Sequence, residues 1–435
     1  MKVLWLCNIL PPIVADKLNI PTSAKEGWIT GTLQRILEDS EGKSEAVLSL
    51  AIAYPVSSLA AEKRTTVRLH SMSIDCYGFY EDVRQPENYC MTMESRFSDI
   101  VKELQPDVVH AFGTEYPHTL AMARVLSGTD KLVISLQGII SKCGEEYFAD
   151  LTDDIVNSRT LRDVLRKDNI AQQQAKFLER GEFEKEAIRL TKHVIGRTDF
   201  DRKTAMELNP TVQYHYMGET MRDTFYNGTW DLNNCDKHTI FVSQADYPLK
   251  GFHYVLESMP EIMDRYPDAR IKVAGNSIVG VDTMKQRLKL STYGKYLRAL
   301  MQTYHLEDKV DFLGMMNAEE MKLQYIRCHT FVCASSLENS PNSVAEAMLL
   351  GVPVVASRVG GIPSILHEPE EGLLFEKGNS QGLAEAVLRI WDGDAIALEM
   401  SAREMARAHD NYNRDDNYHM LLSIYNRVSN LKELP

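Results

Sequence analysis

The sequence predicts an α/β protein of two Rossmann-like, doubly wound domains with an interdomain cleft, and three observations predict it. Short apolar runs alternate with helical patterns along the chain, the alternation that builds mostly parallel sheets with helices on both faces. The pattern runs twice, in two halves divided by a polar stretch rich in turn residues. A chain of 435 residues also exceeds one ordinary core, so two domains of roughly 200 residues each are expected.

In the first half VLWLCNIL, EAVLSLAIAY, DVVHAF and KLVISLQG read as strands, and ENYCMTMESRFSDIVKEL and PHTLAMARVL as helices. The opening MKVLWLCNILPPIVADK has Lys2, an apolar run and Ala15 in the manner of a signal peptide. Asn8 interrupts the run and Pro11-Pro12 breaks it, which favours a buried first strand. Residues 150–192 are helical, with a locally basic face carrying Arg159, Arg162, Arg166 and Lys167. A solvated helix face is favoured there over a membrane-surface patch. Residues 209–237 lack periodicity and read as the linker. In the second half HTIFVSQA, ARIKVAGN, KVDFLG, TFVCAS, PVVAS and GLLF are the strands. Helices fall between them at about 251–266, 293–304, 318–326, 344–350 and 380–391. The domains are therefore 1–208 and 238–410, and 411–435 is an amphipathic helix packing back on the body. Ligands of such domains bind at the carboxyl ends of the strands.

Composition narrows the function. The formal charge of −13 argues against nucleic acid as the main partner. Seven cysteines, an odd number without CxxC pairs, form neither a disulfide framework nor a zinc site. A reducing compartment is expected, hence a cytoplasmic protein. The stretch 46–61, the longest other run without charge, contains Pro55 and several serines and is too short to span a bilayer.

The most informative motif is ENSPNSVAE, Glu338 to Glu346, with seven residues between its two carboxylates. Before it CHTFVCASS, Cys328 to Ser336, has strand character; after it AEAMLLG reads as a short helix closed by Gly351. Asn342 and Ser343 stand where the helix begins, so their N–H groups face outward at the positive end of its dipole, a site for a diphosphate. Glu338 on the loop suits sugar hydroxyls, and Glu346 beside the phosphate site suits a ribose. SVAE is also a capping box, with Ser343 as cap, which would make Glu346 structural. In GVPVVASRVGGIPSILHEPEEGLLF a strand, a Gly360-Gly361 turn, a short helix and another strand follow. A second glycine turn beside the first suits close approach of backbone to a ligand.

Glu338 to Asp394 resembles the donor-binding half of the retaining GT-B glycosyltransferases of family 4 (group 1), including bacterial polysaccharide-biosynthesis members. Their signature is a Glu-x7-Glu pair followed by a strand and a Gly-Gly turn. The resemblance is strongest over 239–390 and weakest over about 145–190. It implies a GT-B fold and transfer of a hexosyl unit from a nucleotide-diphosphate sugar, such as UDP- or GDP-hexose, with retention. The implied acceptor is a hydroxyl of a glycan or lipid-linked oligosaccharide, with peripheral contact at the inner membrane face as a further expectation. No cofactor is expected.

The resemblance also gives roles to separate residues. Lys250, in SQADYPLKGFHYV, would reach the diphosphate. The family's Arg six residues earlier is Gln244 here, and Arg197 in IGRTDFD could supply the second cation. Gly27 and Gly31, in GWITG, match the glycine loop after the first strand. Gln137 falls where relatives carry a His near the transferred sugar; an amide can hydrogen-bond hydroxyls but cannot act as a base. Met316 after VDFLG would lie near the donor nucleotide, and Asn276 after IKVAG sits at a strand end facing the same cleft, although Met315 and Met316 also read as core fillers. From their place at another strand end, and not from the resemblance, His118 and Glu115 would face the acceptor, with a structural His as the plainer reading. No HExxH, Asp-x-Asp or paired ligand spacing is present, so metal-independent chemistry is expected. Two other readings share these residues: a nucleotide-sugar epimerase, and a catalytically weak binding subunit.

Overall fold

The structure is a computed structural model of the chain and describes residues 1–21, 29–41, 48–281 and 283–429. It has two parallel-sheet α/β units. The first comprises Met1–Ser141, Phe177–Arg222 and the segment from Tyr412; the second comprises Lys142–Lys176 and Asp223–Asn411. The segment Lys142–Lys176, which the alternation pattern left inside the first domain, thus groups with the second.

The first unit holds strands β1 (Lys2–Leu6), β2 (Ser49–Val56), β3 (Arg64–Leu69), β4 (Met72–Tyr80), β5 (Val108–Phe112), β6 (Leu132–Ser135), β7 (His193–Gly196) and β8 (Gln213–Tyr216), in the order β3-β4-β2-β1-β5-β6-β7-β8. All neighbours are parallel except β3 and β4. Four of these strands follow the apolar runs; β3, β4, β7 and β8 were not anticipated. β3 alternates exposed and buried residues at an edge, a weaker signature than a buried run. β8 lies inside the expected linker, where QYHY carries no apolar run. The opening segment is indeed a strand, buried at the sheet centre.

The C-terminal helix Arg414–Ser429 buries Tyr418, Leu421, Ile424, Tyr425 and Val428 in the same core as Trp5, Leu33 and Leu37. The Tyr425 hydroxyl anchors it, lying 2.9 Å from Trp5 Nε1 and 2.7 Å from His110 Nδ1. A Tyr and a Trp buried this deeply need partners for their polar tips, and here each serves the other.

In the second unit all six expected strands form: β9 (Asp236–Val242), β10 (Arg270–Val273), β11 (Val310–Phe312), β12 (Cys328–Cys333), β13 (Val354–Ser357) and β14 (Leu373–Phe375). Their order is β11-β10-β9-β12-β13-β14, parallel throughout. β9 and β12 are spatial neighbours but not sequence neighbours. The chain winds outward from β9 to β11, then returns to β12 and winds the other way. Loops after β9 and β12 therefore part at their carboxyl ends, the crevice position of an open α/β sheet.

Candidate functional site

The loop after β9 carries Gln244 and Lys250; the loop after β12 carries Glu338 and leads into the helix Asn342–Leu349. Topology alone brings these distant segments together. Backbone contacts fix the approach: the Ser336 N–H donates to the Leu249 carbonyl at 2.7 Å. Gly251, at φ +63°, lies so close to the Ala334 carbonyl that a Cβ there would stand 1.8 Å from its oxygen. Only glycine tolerates both that φ and that contact.

Lys250 Nζ thereby reaches Glu338 Oε1 at 2.6 Å, with the two side chains 20% and 16% exposed. Ser335 Oγ donates to the same Oε1 at 2.7 Å. Burial alone would lower the Lys250 ammonium, but the facing Glu338 and Tyr247 outweigh it and hold it well above its ordinary value. Behind Glu338, the expected Gly360-Gly361 turn has a definite task. Gly361 N–H donates to the Glu338 carbonyl at 3.0 Å, and a Cβ on Gly360 would stand 2.0 Å from that oxygen. The turn props the Glu338 loop from below.

The helix Asn342–Leu349 begins with Pro341 as its cap and no side-chain capping bond. The capping box drawn from SVAE is therefore not formed. Asn342 and Ser343, partly exposed, precede the first intrahelical bond, from Val344 N–H to the Pro341 carbonyl. Their N–H groups are the outward donors of this terminus. Glu346, 6% exposed, lies one turn on. The Tyr325 hydroxyl stands 3.3 Å from Glu346 Oε2 and 3.1 Å from the Ser343 carbonyl. Ser335, Tyr325 and Asp246, whose Oδ1 accepts from Gln244 Nε2 at 2.7 Å, were not singled out in the sequence. Ser335 lay within CASS, at a strand end where a polar side chain faces the crevice.

At the ends of β10 and β11, Gly275 and Gly314 exchange both backbone hydrogen bonds, at 2.8 and 3.1 Å. Both have positive φ and open space where a Cβ would stand. Asn276 beside them is exposed and Met316 half-buried. Met315 is 53% exposed and so is not the core filler that sequence allowed.

The remaining candidates belong to the first unit. Gln137 is half-buried just after β6. Glu115 accepts from the Gly138 N–H at 3.0 Å, and its carboxyl is raised by burial against that bond and the nearby Arg180. His118 is a buried core histidine: it is 1% exposed, with Nδ1 2.8 Å from Glu81 Oε2. Gly31 lies in the first turn of the helix Thr30–Ser40, where a Cβ would stand 2.5 Å from the Met221 carbonyl oxygen. Its smallness thus serves helix packing. Gly27 lies outside the described residues. Arg197 is buried in an ion pair with Glu219, so its charge already has a partner within the unit. Among the described residues no group of His, Cys, Asp or Glu is arranged to hold a metal ion.

Residues 229–409 match the family described as Glycosyl transferases group 1. The chain is 30% identical over 130 residues to the amylovoran biosynthesis glycosyltransferase AmsK of Erwinia amylovora, covering 28% of this chain and 32% of that one. Matches to the first curated relatives span from 32% to 68% of their length. In fold, the chain is similar to sucrose-phosphate synthase from Thermosynechococcus elongatus, with TM-score 0.68, 13% identity and coverage of 99% and 100%. It is similar also to Anabaena HepE in complex with UDP-glucose, with TM-score 0.62, 15% identity and coverage of 98% and 100%. The two parallel-sheet units thus have the GT-B fold, and residues 229–409, which hold Lys250, Glu338 and Glu346, are a domain of the group 1 glycosyl transferases.

Proposed function

We propose that this protein is a retaining hexosyltransferase that uses a nucleotide-diphosphate sugar and transfers to a hydroxyl of a glycan or lipid-linked oligosaccharide. The observation that carries the reading is the Lys250–Glu338 pair at 2.6 Å, set beside a helix terminus with Glu346 one turn inside it. A cation and outward N–H groups suit a diphosphate; two carboxylates at that spacing suit the hydroxyls on either side of it. HepE, bound to UDP-glucose, and AmsK, named for amylovoran biosynthesis, support the donor class and a role in surface polysaccharide.

In this reading Lys250 and the N–H groups of Asn342 and Ser343 hold the leaving diphosphate, Glu346 the ribose and Glu338 the sugar hydroxyls. Gln137 is assigned the hydroxyls of the transferred sugar and Glu115 the acceptor. The bond from the anomeric carbon to the diphosphate oxygen breaks as the acceptor oxygen bonds to the same face. The acceptor's proton passes to the departing phosphate oxygen. Charge on the diphosphate is met by Lys250 and the helix terminus, and no metal is assigned a part. Seven free cysteines suit a reducing cytoplasm.

The test is a thermal-shift screen of nucleotide sugars, followed by incubation of the stabilising donor with and without glycan acceptors. Acceptor-dependent release of nucleoside diphosphate is expected. Conversion of the donor to an epimer without acceptor, or binding without either reaction, would overturn it.

A further inference from the structure

The second unit carries a face that the donor site does not use. In the helix Leu161–Arg166, Leu161, Val164 and Leu165 share one side by their i, i+3, i+4 spacing and are 62%, 57% and 75% exposed. The other side is fixed. Asp163 is buried, accepts from the Thr292 N–H at 2.9 Å and Oγ1 at 2.6 Å, and completes a capping box with Thr160. Burial would raise this carboxylate, but the bonds from Thr292, Thr160 and Arg162 outweigh it and hold it low. The outward turn of the leucines is thus imposed by the fold.

The helix Met284–Lys289 lies against the first one. A capping box between Thr283 and Gln286 sets its start, and it exposes Met284 and Leu288, one turn apart, at 71% and 55%. Single exposed apolar residues are ordinary; five large ones on two touching helices form a patch. Its charge is equally unusual. Residues 159–168 and 283–289 hold seven basic and two acidic residues in a chain of net charge −13. Both acids are engaged, Asp163 as described and Asp168 by Arg162 at 2.9 Å. Arg159, Arg166, Lys167, Lys285, Arg287 and Lys289 are exposed.

We propose that this face docks on an anionic phospholipid bilayer, with Leu161, Val164, Leu165, Met284 and Leu288 entering the headgroup layer. The basic residues meet the lipid phosphates. The patch supplies both attractions that reversible membrane contact needs, and the acidic remainder of the surface is repelled, which orients the protein. A second copy fits poorly, because a two-fold contact would set seven basic residues against the same seven. The basic face that sequence reading favoured as merely solvated thus gains an apolar partner from a segment far along the chain. The inference does not depend on the proposed transfer reaction.

The full chain is sedimented with vesicles of phosphatidylcholine alone and of phosphatidylcholine mixed with phosphatidylglycerol. Binding to the mixed vesicles alone, weakening with salt, is expected. The pairs Leu165→Glu with Leu288→Glu, and Arg166→Glu with Lys167→Glu, should each lower it by roughly tenfold or more. Their melting temperatures should match the parent's, since these side chains are exposed. Lys250→Ala should bind vesicles as the parent does. Parent-like vesicle binding by both pairs, or none by the parent, overturns the proposal. So does self-association of the parent that Leu165→Glu with Leu288→Glu abolishes, which would assign the face to a second copy.

Discussion

Lys250 Nζ stands 2.6 Å from Glu338 Oε1, so the group proposed to hold the diphosphate and the group proposed to hold the sugar hold each other. A donor diphosphate must compete with Glu338 for Lys250. Glu338→Ala should therefore lower turnover strongly while leaving nucleoside diphosphate affinity unchanged or tighter, because the lysine is released. Calorimetry with nucleoside diphosphate, set beside the transfer rate, checks it; weaker diphosphate binding in this variant would contradict the assignment.

Glu346 should behave oppositely. It is 6% exposed, near the Tyr325 hydroxyl, and its proposed partner is the ribose. Glu346→Ala should weaken nucleotide binding by on the order of 2 to 3 kcal/mol, the worth of a charge-assisted hydrogen bond in a buried setting. Nucleotide affinity equal to the parent's would remove the ribose role.

The second unit was legible because β12, β13 and β14 are buried throughout, β9 ends in the buried run Thr239–Val242, and the longer crossover helices are periodic. The Lys250–Glu338 contact was not. It depends on β9 and β12 being neighbours, a fact of sheet order that no local pattern carries. In sequence Gly251 reads as the start of a helix and Gly360 as a turn residue; that their missing Cβ atoms make room for the Ala334 and Glu338 carbonyls appears only in three dimensions. In the first unit β8 was invisible because QYHY is polar and short. His118 looked available only because its partner, Glu81, lies on a distant segment.

The three candidate diphosphate groups separate experimentally. Lys250→Ala should abolish turnover with the fold intact. Gln244→Arg should be tolerated, since Asp246, 2.7 Å from the present amide, can pair the new guanidinium, and diphosphate binding should tighten if the bidentate contact forms. Arg197→Ala should act first on stability: it leaves Glu219 buried without its cation, a loss on the order of 3 to 5 kcal/mol. Thermal unfolding, measured beside turnover at a temperature where all variants are folded, distinguishes the two effects. Full activity in Lys250→Ala would remove Lys250 from the proposed mechanism.

Turnover should survive excess chelator after dialysis, because Lys250 and the N–H groups of Asn342 and Ser343 are assigned the charge of the leaving diphosphate. An enzyme silenced by chelation and rescued by magnesium or manganese would contradict that assignment.

Acid should destabilise the first unit through His110. It is fully buried between Ser135 Oγ at 2.6 Å and the Tyr425 hydroxyl at 2.7 Å, and burial lowers it from 6.5 to about 3. In the unfolded chain the ring takes up a proton as pH falls through 6.5; in the folded chain it does not until about 3. Its contribution to stability is therefore complete above pH 6.5 and is lost as pH falls from there toward 3, at up to about 1.4 kcal/mol per pH unit. His110→Gln cannot titrate. It should lower stability at neutral pH, because the amide fits the Ser135 and Tyr425 hydroxyls less well, yet flatten the slope of unfolding free energy between pH 6.5 and 4. Denaturant unfolding at several pH values gives both quantities. A variant slope as steep as the parent's would mean that His110 is not a source of the acid sensitivity.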